Sequence, residues 1–253
     1  MKNIFFTIFL MTGMSCFIKA QNYQPFRQYD LLKYGGYQFT IVPGTEAWRN
    51  LDMNADKHAL LQIPEDTLSV ISTPRLVETC LYYPMNIEIF AFDNLTQGFA
   101  FVRTKFNGFD ELFRREDAGI CLLSYYQLRD PVFVTQFKEP IDQGRYSLDF
   151  VRLELMLAQP EIIDRLGEFQ IRSLLRFSLG KIERQADFPQ YYSRVFIPVT
   201  ALVMGRILQK TDAWTEIASK SSVSKFIELG ILESPEDISE IFRQAKIFIN
   251  KNK

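Results

Sequence analysis

Apolar residues recur at helical spacing along almost the whole chain, after an irregular start around Tyr23 to Pro25 and Gly35-Gly36. Intervals of three and four keep side chains on one face of a helix, whereas alternation by two marks an extended strand. Phe39 to Val42 is the one run that reads as a strand, and Pro43-Gly44 closes it. Short helices follow. Thr45 is placed to cap one that carries Trp48 and Leu51, Asn54 caps one with Leu60 and Leu61, and Ile63-Pro64-Glu65-Asp66 opens another with Leu68 and Ile71. At Ser72-Thr73-Pro74 the pattern predicts a helix capped by Thr73, with Pro74 in its first turn, Leu76, Val77, Cys80 and Leu81 on one face, and Pro84 at its end. Asn94 caps a stripe of Leu95, Phe99, Val102 and Phe106, which Asn107-Gly108 breaks before Leu112 and Phe113. Ala118, Cys121, Leu122 and Tyr125 form the next stripe.

Asp130-Pro131 to Gly144 is a Pro-bounded connection, so any boundary inside a single helical domain of residues 21–253 is expected near 130–145. Phe150 to Leu157 is apolar nearly all round and predicts a central helix. Val195 to Gly205, closed by Arg206, predicts a second buried one. A terminal helix capped by Ser234-Pro235-Glu236 carries Ile238, Ile241, Phe242, Ala245, Phe248 and Ile249 on one face. The fold class is therefore all-α. Aligning Pro84 with Pro160 pairs Val77-Glu78-Thr79-Cys80-Leu81 with Leu153-Glu154-Leu155-Met156-Leu157, 76 residues apart. Half that spacing is close to a two-helix repeat, whose hairpins bury their apolar faces only by stacking. Divergent stacked hairpins of armadillo or HEAT type are accordingly expected in preference to an irregular bundle. Glu78 and Glu154, shared by the two matched helices, are expected to be structural, each at the edge of an apolar face within reach of amides or of Arg75 and Arg152.

Composition narrows the function. The 253 residues are 47% hydrophobic, enough for a sizeable core. Lys plus Arg number 29 against 30 Asp plus Glu, so no basic field exists to recruit nucleic acid. Three cysteines exclude a disulfide scaffold, and a single histidine excludes a catalytic His pair or a His-rich metal cage. Lys2, the apolar run Ile4 to Met11 and Ile18-Lys19-Ala20 before Gln21 read as a secretory signal peptide over residues 1–20. Its removal leaves 27 basic against 30 acidic residues, and a mature chain that starts at Gln21 with no span long enough to cross a membrane. Gly13-Met14-Ser15-Cys16 offers a lipid anchor at Cys16 as a minority alternative. The expected location is the periplasm or cell envelope.

The segment Ser72 to Arg129, with its strings TPRLVETC, AFDN and FNGF, and the upstream Pro43-Gly44-Thr45-Glu46-Ala47-Trp48 and Leu61-Gln62-Ile63-Pro64, resembles a group of uncharacterised exported proteins of Bacteroidota-type Gram-negative bacteria. The resemblance covers residues 43–129, about a third of the chain. It implies an exported, armadillo-like helical fold and carries over no activity and no catalytic residue.

Candidate chemistry is sparse. His58, among Asn54, Asp56 and Lys57, reads as a solvated residue on a short helix. Asp110, Glu111, Glu116 and Asp117, interleaved with Arg114 and Arg115, read as a self-paired helix face rather than as paired catalytic acids or a calcium loop. No GxSxG, HExxH, P-loop or dinucleotide fingerprint occurs, and no cofactor is expected. Cys80 and Cys121 fall on apolar faces and read as buried small hydrophobes, their pairing left open. Asp66-Thr67-Leu68 and Asn94-Leu95-Thr96 are short strings of the kind used for glycosylation. The tyrosine doublets Tyr82-Tyr83, Tyr125-Tyr126 and Tyr191-Tyr192 each lie at an expected helix end, where a ring with one apolar and one wet side either covers the core or lines a groove. Together these features point to a non-catalytic exported envelope protein whose helical surface binds or scaffolds another envelope protein, a peptide or a glycan. The alternative is an exported hydrolase whose acids assemble only in three dimensions.

Overall fold

A computed structural model describes residues 35–52, 55–217 and 221–251. The expected signal peptide, the start at Gln21, Cys16 and the Asn54 cap lie outside these described residues. Among the described residues every regular element is a helix. The chain divides into two compact units, one ending at Ala118 and the other beginning at Gly119.

The first unit contains α1 (Glu46–Arg49), a 3-10 turn (Ala59–Leu61), α2 (Glu65–Val70), α3 (Thr73–Leu81), a longer 3-10 helix (Pro84–Ala91), α4 (Leu95–Arg103) and α5 (Asn107–Arg114). Local capping accounts for several starts: the Thr45 hydroxyl accepts from Trp48 N, and Asn94 Oδ1 accepts from Gln97 N. At the 3-10 turn the cap is Asp56, whose Oδ1 accepts from His58 N and Ala59 N. Three expectations change. Thr73 caps nothing: it is the first helical residue of α3, and its hydroxyl donates to Asp117 Oδ1. Pro84 opens the 3-10 helix two residues after the C-cap Tyr82, and Asn107-Gly108 begin α5 rather than interrupting a stripe. Phe39 to Val42 forms no strand, and bends fall at Thr40 and Ile41. Alternation by two is not enough for a strand; a ladder also needs a neighbour with free backbone groups, and just before this run Tyr37 N donates to Thr79 Oγ1 of α3 instead.

The core of this unit joins Leu76, Val77, Cys80 and Leu81 of α3 to Phe99 and Val102 of α4 and Phe109, Leu112 and Phe113 of α5. Gly98 lets α4 approach the 3-10 helix closely, because a Cβ there would fall 2.0 Å from the backbone oxygen of Ile89. Asn107 and Gln62 form a reciprocal clamp: Ile63 N donates to Asn107 Oδ1, Asn107 Nδ2 to Ile63 O, and Asn107 N to Gln62 Oε1.

The second unit holds α6 (Ala118–Leu128, whose first residue closes the other unit), a 3-10 helix (Pro131–Gln136), α7 (Pro140–Leu157), α8 (Pro160–Ile163), α9 (Glu168–Ala186), a 3-10 turn (Arg194–Phe196), α10 (Ile197–Leu208), α11 (Trp214–Ile217), α12 (Ser221–Leu229) and α13 (Pro235–Asn250). Residues 130–145 form the 3-10 helix and the first turns of α7 within this unit. α10 is buried from Val199 to Leu208 except at Arg206 and packs against α7, α9, α12 and α13. On α13 only Ile241 and Ala245 of the expected stripe are fully buried, together with Asp237 and Gln244.

Cations from one helix repeatedly satisfy the terminal carbonyls of another. Arg206 of α10 donates to Ala158 O behind α7 and to Ile227 O near the end of α12. Arg172 of α9 donates to Phe248 O in the last turn of α13, and Lys181 of α9 donates to Arg129 O just past α6. In the first unit Arg115 reaches Leu68 O and Ile71 O at the end of α2. The last carbonyls of a helix have no partner within it and carry the negative end of its dipole, so a cation both completes and stabilises them. No described helix is long and apolar enough to cross a membrane.

Candidate functional site

In each tyrosine doublet the second ring turns inward. Tyr83, Tyr126 and Tyr192 are buried, Tyr82 and Tyr191 are half-buried, and Tyr125 lies at the edge of burial. Only Tyr125-Tyr126 lies within a helix, where successive side chains point about 100° apart; Tyr82-Tyr83 follow the end of α3, and Tyr191-Tyr192 lie in the turn between α9 and the Arg194–Phe196 3-10 turn. The inward hydroxyls have internal partners: Tyr126 OH donates to Glu154 Oε1 at 2.5 Å and Tyr192 OH to Pro131 O at 2.8 Å. Tyr83 OH shares a 2.9 Å hydrogen bond with His58 Nδ1. Burial pushes all three phenols well above their ordinary range.

His58 is thus not a solvated residue. Its Nδ1 meets Tyr83, and its Nε2 lies 3.0 Å from Glu88 Oε2, an ion pair once the ring is protonated. Beneath it, Tyr83 stacks on Phe106 with ring centroids 4.1 Å apart. Over this floor runs the irregular segment 35–42: Arg75 Nε donates to Gly35 O, Tyr37 N donates to Thr79 Oγ1 at 2.8 Å, and the Phe39 ring meets Tyr83 and Phe106 at 6.0 and 5.9 Å. Sequence reasoning missed Arg75, Thr79 and Phe39. The signal was present in the alternation of Tyr37, Phe39 and Ile41 after two glycines, but it does not say what those rings lie on.

In the second unit Tyr126 and Tyr192 meet around Phe150 of α7. Tyr192 approaches that ring at 5.7 Å, and Lys181 Nζ lies 4.8 Å from the Tyr126 ring and 5.6 Å from Phe150. Glu154, 2% exposed, accepts from Tyr126 OH and, through Oε2, from Thr200 Oγ1 at 2.8 Å. It is therefore interior rather than at the edge of an apolar face, and its partners are hydroxyls, not Arg152. Burial pushes its carboxyl up to about 7 against the hydrogen bonds of Tyr126 and Thr200 and the charge of Lys181. Burial likewise pulls the Lys181 amine down to about 7. Asp149, fully buried, faces Arg129 at 3.6 Å and Arg152 at 3.4 Å. The two acids thus have separate partners, hydroxyls for one and guanidinium groups for the other, which suits holding α6, α7 and α10 together.

Of the acidic run Asp110 to Asp117, Glu111 pairs with Arg114 and Arg115, and Asp117 accepts from Thr73. Burial raises the Glu111 carboxyl, but the hydrogen bonds and charges of Arg115 and Arg114 outweigh it and hold it below its usual range. Glu78 and Cys80 are buried on α3 and Cys121 on α6, both cysteines as thiols, and burial raises the Cys80 thiol. Among the described residues no three His, Cys, Asp or Glu side chains are grouped to hold a metal ion. Asn94 is engaged as a helix cap, and the Thr67 hydroxyl donates to Asp66 Oδ1. Compared with known proteins, the chain matches no family model, no curated protein and no solved structure.

Proposed function

We propose that this is an exported, non-catalytic envelope protein of the kind its residues 43–129 resemble, built from divergent helical hairpins of armadillo type and presenting a helical surface to a partner protein, peptide or glycan. The observation that carries the reading is the use made of buried charge. Glu154, Asp149, Lys181, Arg115, Arg172 and Arg206 link helix to helix or close helix ends. A hydrolase needs two carboxylates facing each other across a space that admits substrate. Glu154 and Asp149 instead face hydroxyls and cations inside packed helices, which favours a scaffold. The half-buried Tyr82 and Tyr191, each joined to an anchored inward ring, supply rigid amphipathic contact area on the outside.

Two measurements on cells that make the protein test this reading. N-terminal sequencing should find the mature chain starting at Gln21; an acylated start at Cys16 would assign the lipid anchor, and an intact Met1 would defeat export. Cross-linking in the envelope should join the protein to a partner, and Tyr82→Ala or Tyr191→Ala should weaken that link while leaving the fold intact. Substrate turnover that is lost in Glu154→Gln without a change in melting temperature would replace the scaffold with the hydrolase.

A further inference from the structure

The chain contains one Asn-Gly pair, Asn107-Gly108, at the start of α5. Asparagine is a thermolabile residue, and before glycine its side-chain amide is open to attack by the next backbone nitrogen, because no Cβ obstructs the approach. Gly108 N adds to Asn107 Cγ, the Cγ–Nδ2 bond breaks, and the proton given up by Gly108 N leaves with Nδ2 as ammonia. The product is a five-membered imide. Water then opens it at either carbonyl, leaving aspartate with the original backbone or isoaspartate with the backbone rerouted through Cβ and Cγ.

Two separate demands of the fold place this pair here. The asparagine supplies a two-sided amide: Oδ1 accepts from Ile63 N at 3.0 Å and Nδ2 donates to Ile63 O at 2.8 Å, a match that an aspartate cannot reproduce. The glycine is required by the Phe106 ring, since a Cβ at position 108 would fall 2.3 Å from Phe106 Cε1. That ring is held in place: it is 1% exposed, stacked on Tyr83 at 4.1 Å and edge-on to Phe109 at 5.6 Å. The same contacts keep the pair in an unreactive shape. Imide closure needs Asn107 Cγ to swing over Gly108 N with ψ turned far from its helical value. Asn107 is instead the first residue of α5, its N–H donates to Gln62 Oε1 at 2.9 Å, both ends of its amide are bonded, and Gly108 is buried.

We propose that Asn107 is a deamidation site that the clamp with Gln62 and Ile63 holds closed, and that its conversion in the opened chain stops the clamp from re-forming. The inference stands apart from the binding-surface reading above. An aspartate at 107 can still accept from Ile63 N, but its second oxygen would face Ile63 O with no proton to give. Isoaspartate adds a carbon to the main chain at the first turn of α5 and displaces the Asn107 N–H from Gln62. Chemistry on the opened chain thereby makes loss of the clamp irreversible.

The test holds the full chain at pH 8 with and without urea and follows each asparagine by peptide mapping and mass spectrometry. In urea Asn107 should deamidate faster than every other asparagine, since it alone precedes glycine. In the folded protein its rate should fall by about tenfold or more, because only the opened fraction reacts. Gln62→Ala, which removes the acceptor for Asn107 N, should speed the reaction severalfold in protein whose circular dichroism still matches wild type. Chain deamidated in urea and then refolded should unfold at a lower urea concentration than unmodified chain treated alike, and Asn107→Asp should show part of that loss. Equal rates with and without urea would overturn the protection, and a folded rate that Gln62→Ala leaves unchanged would take it away from the clamp. An Asn107 no faster in urea than the other asparagines would overturn the site itself. A deamidated chain and an Asn107→Asp variant that both unfold with wild type would overturn the loss of the clamp.

Discussion

Glu154 offers the sharpest test of how the second unit is held together. Its two oxygens accept from Tyr126 OH of α6 at 2.5 Å and Thr200 Oγ1 of α10 at 2.8 Å, so one side chain of α7 ties three helices. Glu154→Ala removes both acceptors and leaves two buried hydroxyls unsatisfied; at about 1 to 3 kcal/mol for each, plus the cavity, the loss is on the order of 3 to 5 kcal/mol. Glu154→Gln keeps the shape and one carbonyl acceptor, and hydroxyls can turn to accept from its amide, so it should cost only about 1 kcal/mol at pH 5. The pH dependence follows from the burial that raises the folded carboxyl from 4.5 to about 7. A raised acid contributes stability that is complete below its unfolded value and is lost as pH rises through the folded one. Wild type should therefore lose on the order of 3 kcal/mol relative to Glu154→Gln between pH 4.5 and 7, and the order of stability should reverse by pH 8. Urea unfolding of wild type, Glu154→Gln and Glu154→Ala at pH 5, 6, 7 and 8, read as midpoints at constant slope, measures all of these quantities. Parallel profiles for wild type and Glu154→Gln, or an Ala variant no weaker than the Gln variant, would refute the reasoning.

Lys181 has the opposite sign. Burial lowers its amine from 10.5 to about 7, so the unfolded chain binds more protons between those values and wild type should gain stability as pH rises through that window, a slope that Lys181→Met should flatten when the urea series is extended to about pH 10. Arg206→Met releases Ala158 O and Ile227 O, and thermal unfolding should show a loss of about 2 to 3 kcal/mol with helix content unchanged. Gly98→Ala, worth about 1 kcal/mol of stabilisation in an open helix, should instead destabilise by roughly 2 to 4 kcal/mol, because its Cβ would meet Ile89 O at 2.0 Å. A neutral or stabilised Ala variant in circular dichroism melts would show that the 3-10 helix and α4 can move apart.

What the chain settled by itself was local. Apolar spacing of three and four placed the helices up to α7 and also α10 and α13, but not α8, α9, α11 or α12, and Thr45, Asn94 and Ser234 cap the helices they were expected to cap, because a cap acts within three residues of itself. The misreadings occurred where a partner distant in sequence took over a side chain. Thr73 had the right position to cap, but Asp117 accepts its hydroxyl. His58 stands among polar neighbours, yet Tyr83 and Glu88 claim both ring nitrogens. Glu154 was legible as structural because it sits beside core positions, but its depth and its pairing with hydroxyls depend on α6 and α10 closing over α7. The segment around Phe39 shows the same division. Period two announced a strand over Phe39 to Val42, but the packed structure sets Tyr37 and Phe39 against Thr79 and Tyr83 and bends the chain at Thr40 and Ile41. Periodicity and capping are set by neighbours along the chain; burial, charge pairing and the partners of an irregular segment are set by residues that only folding brings together.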